Sequence, residues 1–267
     1  MGKTLEEAVK DRILILDGAM GTMIQQYKLE EYDFRGYRYS KTPGMMKGNN
    51  DMLNITRPDV IADIHRKYLR VGADIISTNT FSSQRISQAD YHLEDSAREM
   101  AFLGVQLARK VADEFSTDEK PRFVAASVGP TNKTCSMSPD VSNPAKRDIT
   151  YAELYEAYLE QITAFEEGGA DAILIETVFD TLNAKAAIDA TIEVERRSGR
   201  RMPIMLSITV SDLAGRTLSG QTLDAVLASV SSYPLFSVGL NCSFGADKMK
   251  PFLEELARRA PYYISAY

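Results

Sequence analysis

Short apolar runs of strand length recur along this chain, and a helical pattern separates each run from the next. The runs are nearly continuous instead of alternating with polar residues, which is typical of strands buried on both faces of a parallel sheet. The pattern predicts seven strands, at residues 12–16, 73–78, 122–128, 170–176, 203–210, 235–241 and 262–266. Six helices are predicted between them, at residues 58–71, 94–115, 151–167, 183–197, 223–231 and 248–259. The chain is therefore expected to fold as an α/β protein.

Two architectures share this repeat, a doubly wound sheet and a (β/α)8 barrel, and the repeat alone does not separate them. The first predicted strand is followed by DGAMGT, which lacks the G-x-G-x-x-G fingerprint of dinucleotide sites in doubly wound sheets. We therefore favour the barrel. A barrel has eight strands and this sequence supplies seven, so we expect a (β/α)8 TIM barrel truncated after the seventh strand. On this interpretation residues 1–267 are one C-terminally incomplete domain, without the last helix, the eighth strand and the final helix.

The composition favours small molecules as partners. The 267 residues are 44% hydrophobic and 25% charged, and their net charge of −6 without a basic block argues against nucleic-acid binding. No stretch approaches the roughly 20 apolar residues of a membrane span, and residues 1–11 are too charged for a secretion signal. The two cysteines, Cys135 and Cys242, suit a reducing compartment. We expect a cytoplasmic protein that binds neither nucleic acid nor a membrane.

Polar residues stand where the predicted strands end, which is where barrel enzymes carry their catalytic and binding groups. These positions are Asp17, Asn79, Thr80, Glu176, Asn241 and Cys242. A carboxylate at the end of a buried strand, such as Glu176, needs a cation or hydrogen bonds to offset its desolvation. Asp17 precedes a glycine and could instead serve a turn, and the two asparagines could satisfy loop backbone. Ligand binding and these structural roles both remain open at this point.

Cys242 is either a reactive or metal-bound thiolate or a small apolar filler. One thiolate does not make a zinc site, because zinc sites use three or four protein ligands. The other cysteine, Cys135, lies in a polar loop and is expected to be an exposed or half-buried bystander. Only two histidines occur, His65 and His92, so a hydrolytic triad has few candidates. We expect His65 to lie on the surface of a helix.

Several segments together resemble the homocysteine-binding N-terminal module of the cobalamin-dependent methionine synthase family. They are DGAMGTMIQ from Asp17, DFRG from Asp33, KGNND from Lys47, ADIISTNTF from Ala73, VGPTN from Val128, ILIETVFDTLNAKAA from Ile173, GRTLSGQT from Gly215 and GLNCSFG from Gly239. They follow one another in the order of that family and cover nearly the whole chain. The insertion at 27–51 resembles the cobalamin-dependent enzymes more than the betaine-using branch.

The resemblance implies a barrel that binds zinc and homocysteine at its C-terminal face. In that family three cysteines hold the zinc, and Cys242 matches the first of them. The other two form a Gly-Gly-Cys-Cys motif at the eighth strand, and this sequence contains no such motif. By position, Asp17 and Glu176 match the carboxylates that receive the substrate's ammonium group. The remaining matches are the backbone of Gly18, Ala19 and Met20 for the substrate carboxylate, and Asn79, Thr80 and Asn241 as supporting residues.

The resemblance also implies a reaction. Homocysteine, bound as a zinc thiolate, accepts a methyl group from methylcobalamin to give methionine, and a methyltetrahydrofolate domain recharges the cobalamin domain. Because two zinc ligands and both other domains are missing from this sequence, the chain alone is expected to be inactive. Two other interpretations remain open. One is a cobalamin-independent homocysteine methyltransferase with a betaine or sulfonium donor, and the other is a non-catalytic amino-acid-binding barrel.

Overall fold

The computed structural model describes residues 2–267. Within them the strands are β1 Ile75–Ser77, β2 Phe123–Val128, β3 Ala172–Val178, β4 Ile204–Ile208, β5 Leu235–Leu240 and β6 Tyr263–Ala266. The helices are α1 Leu5–Asp11, α2 Met20–Gln25, α3 Glu31–Arg35, α4 Leu53–Thr56, α5 Pro58–Arg70, α6 Arg85–Gln88, α7 Ala97–Phe115, α8 Tyr151–Gly168, α9 Thr181–Ser198, α10 Leu223–Val230 and α11 Ala246–Arg259. Three short 3₁₀ turns lie at Asn50–Met52, Ala89–Tyr91 and Glu94–Ser96.

The strands are ordered as they occur in the chain, and the strand pairs with a defined register are parallel. Two compact units can be distinguished, a first unit of residues 2–127 and 160–172 and a second unit of residues 128–159 and 173–267. The first unit contains β1 and all of β2 but its last residue, Val128, and the second contains β4 to β6 and all of β3 but its first residue, Ala172. Parallel strands in chain order with helices between them confirm the predicted α/β class and match an incomplete (β/α)8 barrel.

The predicted strand at 12–16 is wrong as a regular strand, because the structure keeps only one bridge of it, between Leu16 and Ile75. Side-chain bonds replace the ladder before that point. The carboxylate of Asp74 accepts the backbone N–H of Ile15 at 2.9 Å and both terminal nitrogens of the Arg12 guanidinium at 2.7 and 2.8 Å. Backbone bonds join the segment to β1 only around that bridge, at the carbonyl of Ile15 and the N–H of Asp17, so residues 12–14 form no ladder with it.

All six predicted helices are present, with boundaries shifted by a few residues. The short helices α1 to α4 and α6 were not predicted. In α1 the reason is visible: Thr4 and Glu7 form a capping box, which stabilises a helix of only 7 residues. A chain segment of this length shows too few turns for its apolar spacing to indicate a helix. None of the helices in residues 2–267 has the length and hydropathy needed to cross a membrane.

Two single-residue predictions are also wrong. His65 does not lie on a helix surface: its side chain is fully buried in α5, and neither ring nitrogen has a hydrogen-bond partner. Burial lowers the pKa of His65 from 6.5 to about 4. Cys135 is buried as well, and its backbone N–H donates to the side-chain oxygen of Asn183 at 3.0 Å. Burial also raises the pKa of the Cys135 thiol, as does the nearby charge of Asp180.

The second unit has a glycine at the closest approach of two strands. Gly239 of β5 pairs with Ser265 of β6, and a Cβ atom added to Gly239 would lie 2.0 Å from the carbonyl oxygen of Ser265. Backbone atoms cannot move aside as a flexible side-chain end can. Only glycine therefore allows β6 to lie against β5 in this register.

Candidate functional site

The end of β3 carries Glu176 on a backbone irregularity. The register with β4 shifts between Ile175 and Val178, so Glu176 and Thr177 stand outside the regular ladder. Thr177 has φ +58, a left-handed conformation that is unfavourable for a β-branched residue. The surrounding structure must therefore stabilise this conformation, and with it the position of Glu176.

Asn241, directly after β5, supplies that stabilisation. Its side-chain oxygen accepts the backbone N–H of Thr177 at 3.1 Å and the hydroxyl of Ser207 at 2.8 Å. Its side-chain nitrogen donates to Oγ1 of Thr177 at 2.9 Å and to Sγ of Cys242 at 3.3 Å. The amide is fully buried and uses both its donor and its acceptor capacity. Asn241 thus fixes the end of β3 and the start of the Cys242 segment together.

Cys242 is exposed, in contrast to the buried Cys135. It also has a positive φ, +52, two residues after the end of β5. The thiol is held by the Asn241 side chain at one side and is accessible from solvent at the other. An exposed thiol at the end of a strand is accessible to a ligand or a metal ion, which a core-filling cysteine is not.

Glu176 also contacts the residue that follows β6. The hydroxyl of Tyr267 donates to Oε2 of Glu176 at 2.8 Å, and the Tyr267 backbone N–H donates to the carbonyl of Leu240 at 3.3 Å. Burial and the charge of Glu176 raise the pKa of Tyr267, so the phenol keeps its proton and remains a donor. Within the second unit, Glu176, Asn241, Cys242 and Tyr267 therefore form one connected group at the ends of β3, β5 and β6.

In the first unit, Asp17 is buried at the end of β1. Its two carboxylate oxygens accept the backbone N–H and the hydroxyl of Ser77, both at 2.9 Å. The ring of Tyr68 covers the next residue, since a Cβ on Gly18 would lie 3.0 Å from the Tyr68 hydroxyl oxygen. Burial, and then the charge of Asp17, raise the pKa of Tyr68. Asp17 and Tyr68 together place a negative charge and a phenol beside Gly18.

The segment after Asp17 leads into α2. Ala19 is the residue before the helix and accepts a hydrogen bond from the Tyr68 hydroxyl at 3.2 Å through its carbonyl, and Met20 is the first helical residue. The first backbone N–H groups of a helix have no acceptor inside it. The chemistry of Gly18, Ala19 and Met20 therefore suits an anion such as a carboxylate.

Asn79 and Thr80 are buried in the first unit and bonded internally. The Asn79 side-chain nitrogen donates to the carbonyl of Asn50 at 2.7 Å and to the side chain of Asn54 at 3.2 Å. The Thr80 hydroxyl donates to the carbonyl of Ser127 at 2.9 Å, and the Thr80 carbonyl accepts from Gln161. These bonds fix both side chains within the first unit.

The donors present do not make a complete zinc site. Among residues 2–267 no group of three His, Cys, Asp or Glu side chains is placed to hold a metal ion. Cys242 is the thiol at a strand end, and Cys135 is buried in a loop that is tied to α9 through Asn183. Since a protein zinc site takes three or four ligands, no chemical step through zinc follows from these residues.

Sequence reasoning missed several residues that contact the predicted ones. Asp17 accepts hydrogen bonds from Ser77, and Gly18 lies against the ring of Tyr68. Asn241 is hydrogen-bonded to Thr177, and Glu176 accepts a hydrogen bond from Tyr267. Of these four contacting residues, only Tyr267 could have been found from the sequence. Tyr267 directly follows the seventh predicted strand, so the strand-end argument that selected Glu176 applies to it equally. The left-handed backbone of Thr177 has no sequence signal, because glycine or asparagine is the residue expected there.

Comparison with solved structures bears on the fold. The Escherichia coli homocysteine methyltransferase MmuM in its metallated form superposes with a TM-score of 0.75 and 21% identity, over 97% of this chain and 85% of that one. Its oxidised form gives a TM-score of 0.73 and 21% identity, over 96% and 82% of the two chains. A 2-naphthoyl-CoA reductase complex gives 0.53 and 9% identity, over 77% and 40%. At these identities the superpositions establish the fold.

The family follows from the sequence profile. The profile of homocysteine S-methyltransferases matches residues 14–267, which include every predicted site residue from Asp17 to Cys242. A match of this extent identifies the family and not a local motif. The chain belongs to the homocysteine S-methyltransferase family.

Proposed function

We propose that this chain is the homocysteine-binding module of a methionine synthase. The observation that carries the proposal is the group formed by Glu176, Asn241 and Cys242, in which one buried amide holds a carboxylate-bearing strand end and an exposed thiol. A carboxylate suits the ammonium group of an amino acid. An accessible thiol at the same strand ends suits a metal ion that would bind the substrate's sulfur.

Each remaining predicted residue has a role in this proposal. The resemblance assigns Glu176 and Asp17 to the ammonium group of homocysteine. Each is an acid held by hydrogen bonds in its own unit, Asp17 by Ser77 and Glu176 by Tyr267. The backbone of Gly18, Ala19 and Met20 receives the substrate carboxylate. Asn79, Thr80 and Asn241 hold these segments in place through the buried bonds described above.

The zinc ion, methylcobalamin and the methyltetrahydrofolate domain enter the proposal through the resemblance alone. Cys242 is assigned as one of three zinc ligands, and the other two are the Gly-Gly-Cys-Cys pair, which is not among these 267 residues. Methyl transfer then belongs to the intact protein. We also propose a cytoplasmic location, as the sequence composition led us to expect.

A non-catalytic amino-acid-binding barrel is a second candidate. It is favoured by one observation, that residues 2–267 contain acids suited to an ammonium group but no complete set of metal ligands. The two candidates differ in whether zinc raises the affinity for the thiol-bearing amino acid.

Calorimetric titration of the chain with homocysteine, with and without saturating zinc, tests both candidates. Zinc alone is expected to bind this chain weakly, but the methionine-synthase proposal expects saturating zinc to strengthen homocysteine binding, because the substrate's sulfur would add a ligand to the Cys242 thiol. Glu176→Gln should weaken homocysteine binding about tenfold, because an ion pair with the ammonium group is lost. Glu254→Gln, on the exposed face of α11, is the matched control and should bind as the unaltered chain does. Affinity that zinc leaves unchanged favours the non-catalytic binder. Absence of homocysteine binding in both conditions contradicts both.

A further inference from the structure

We propose that Tyr267 is a positioning residue for amino-group recognition: its hydroxyl holds the Glu176 carboxylate in the orientation that receives the substrate's ammonium group. The inference rests on the proposed function and extends it by one residue. It starts from the 2.8 Å hydrogen bond between the Tyr267 hydroxyl and Oε2 of Glu176.

The backbone delivers Tyr267 to this position. β6 pairs with β5 from Tyr263 to Ala266, and the Tyr267 N–H continues the pairing with a bond to the carbonyl of Leu240. The phenol therefore extends from the end of β6 to the end of β3, with its backbone fixed by the sheet. A donor held this way loses little further freedom when it binds the carboxylate.

Glu176 lies at an irregular point of the backbone. The β3 register shifts there, and the next residue, Thr177, is left-handed. A side chain that is free to rotate loses conformational entropy when it binds an ammonium ion. The hydrogen bond from Tyr267 restricts the partly buried Glu176 carboxylate before the substrate arrives, which reduces that loss on binding.

A phenol bonded to a carboxylate oxygen can also compete with an ammonium group for that oxygen, which would make Tyr267 an obstacle to binding. Competition predicts that removing the hydroxyl tightens amino-acid binding, and positioning predicts that it weakens binding. A role in packing alone predicts no dependence on the substrate's amino group. Removing the Tyr267 hydroxyl therefore distinguishes the three roles by whether amino-acid affinity rises or falls and by whether the change depends on the ligand's amino group.

The test is Tyr267→Phe in the full chain, titrated calorimetrically with L-methionine and with its deaminated analogue γ-methylthiobutyrate. Neither ligand carries a thiol, so the readout does not depend on a metal ion. We expect about a tenfold loss of affinity for methionine, as is usual for a hydrogen bond to a charged group, and less than a twofold change for the analogue. The matched control is Tyr263→Phe, at an exposed tyrosine at the start of β6. It should leave the affinities for methionine and for the analogue unchanged.

The double variant Tyr267→Phe/Glu176→Gln tests whether Tyr267 acts on binding through Glu176. If Tyr267 acts through Glu176, then Tyr267→Phe should cost little in the Glu176→Gln background, giving strongly non-additive losses. Equal losses for methionine and the analogue, unchanged binding, or tighter binding would each overturn the assignment. An unaltered chain that binds neither homocysteine nor methionine contradicts the proposed function itself, whereas binding that Tyr267→Phe leaves intact contradicts only the role of Tyr267.

Discussion

At the scale of single residues, the candidate site depends most on Asn241. Its amide bonds to Ser207, Thr177 and Cys242, and two of those partners have positive φ angles. No apolar or smaller side chain can replace these bonds. The Asn241 amide therefore connects the end of β3, β4 and the Cys242 segment within the second unit.

Asn241→Ala should lower the free energy of unfolding by about 3 kcal/mol, because it leaves the buried Ser207 hydroxyl and Thr177 N–H without their partner. Urea denaturation followed by circular dichroism measures this loss. Asn143→Ala, in an exposed loop, is the control and should change stability by less than about 0.5 kcal/mol. Similar losses in the two variants would show that the amide network contributes little.

The strand-end argument identified Asp17, Glu176, Asn241 and Cys242 from sequence because it needs only the position at which an apolar run stops. It could not identify how they are held. The bond from Ser77 to Asp17 joins residues 60 positions apart, and the bond from Asn241 to Thr177 joins residues 64 apart. Contacts at such separations follow from strand pairing, which one sequence does not display.

At the scale of elements, α5 shows both what apolar spacing predicts and what it omits. The helical pattern at 58–71 predicted the helix, and the structure places it at Pro58–Arg70. The same pattern places His65 on the helix surface, whereas in the structure it lies on the buried face together with Ile61, Ile64 and Leu69. A histidine can lie in the core as a neutral ring, at the cost of losing its affinity for protons.

His65 should make folding stability depend on pH. Its pKa in the folded protein, about 4, lies below the ordinary value of 6.5, so below pH 6.5 the unfolded chain binds more protons and stability falls as the pH decreases towards 4. Between pH 7 and pH 5 this contribution amounts to about 2 kcal/mol. Urea unfolding at both pH values measures it.

The matched variants for this prediction are His65→Leu and His92→Asn. His65→Leu should show a smaller stability difference between the two pH values than the unaltered chain. His92→Asn should leave the difference intact, since His92 is exposed and asparagine tolerates its positive φ of 56. If the unaltered chain and His65→Leu lose equal stability, protonation of the buried ring is not the cause.

At the scale of the whole molecule, the sequence predicted the class and the family but not every strand. The alternation of apolar runs and helices fixed the α/β class, and the ordered motifs agree with the profile match over 14–267. The predicted first strand does not form as a regular strand, because the Asp74 carboxylate accepts hydrogen bonds from the Ile15 backbone N–H and from Arg12. An apolar run in a sequence does not reveal such side-chain bonds. The apolar pattern thus predicts which segments are buried, whereas side-chain hydrogen bonds determine which of those segments pair as strands.

The chain of residues 1–267 should bind zinc only weakly, because one exposed thiol does not satisfy the three or four ligands that zinc requires. Metal analysis after dialysis against a mild chelator should find well under one equivalent. Any residual binding should disappear in Cys242→Ser and persist in Cys135→Ser, whose thiol is buried. One tightly held equivalent would refute this interpretation of the metal ligands.

The missing side chain of Gly239 has a consequence beyond packing. Because β6 can approach β5 only where no methyl group intervenes, the location of the phenol that touches Glu176 depends on a residue 28 positions earlier in the chain that has no side chain. If Tyr267 positions Glu176 as proposed, a larger residue at Gly239 would weaken amino-acid binding although the origin of the defect is steric.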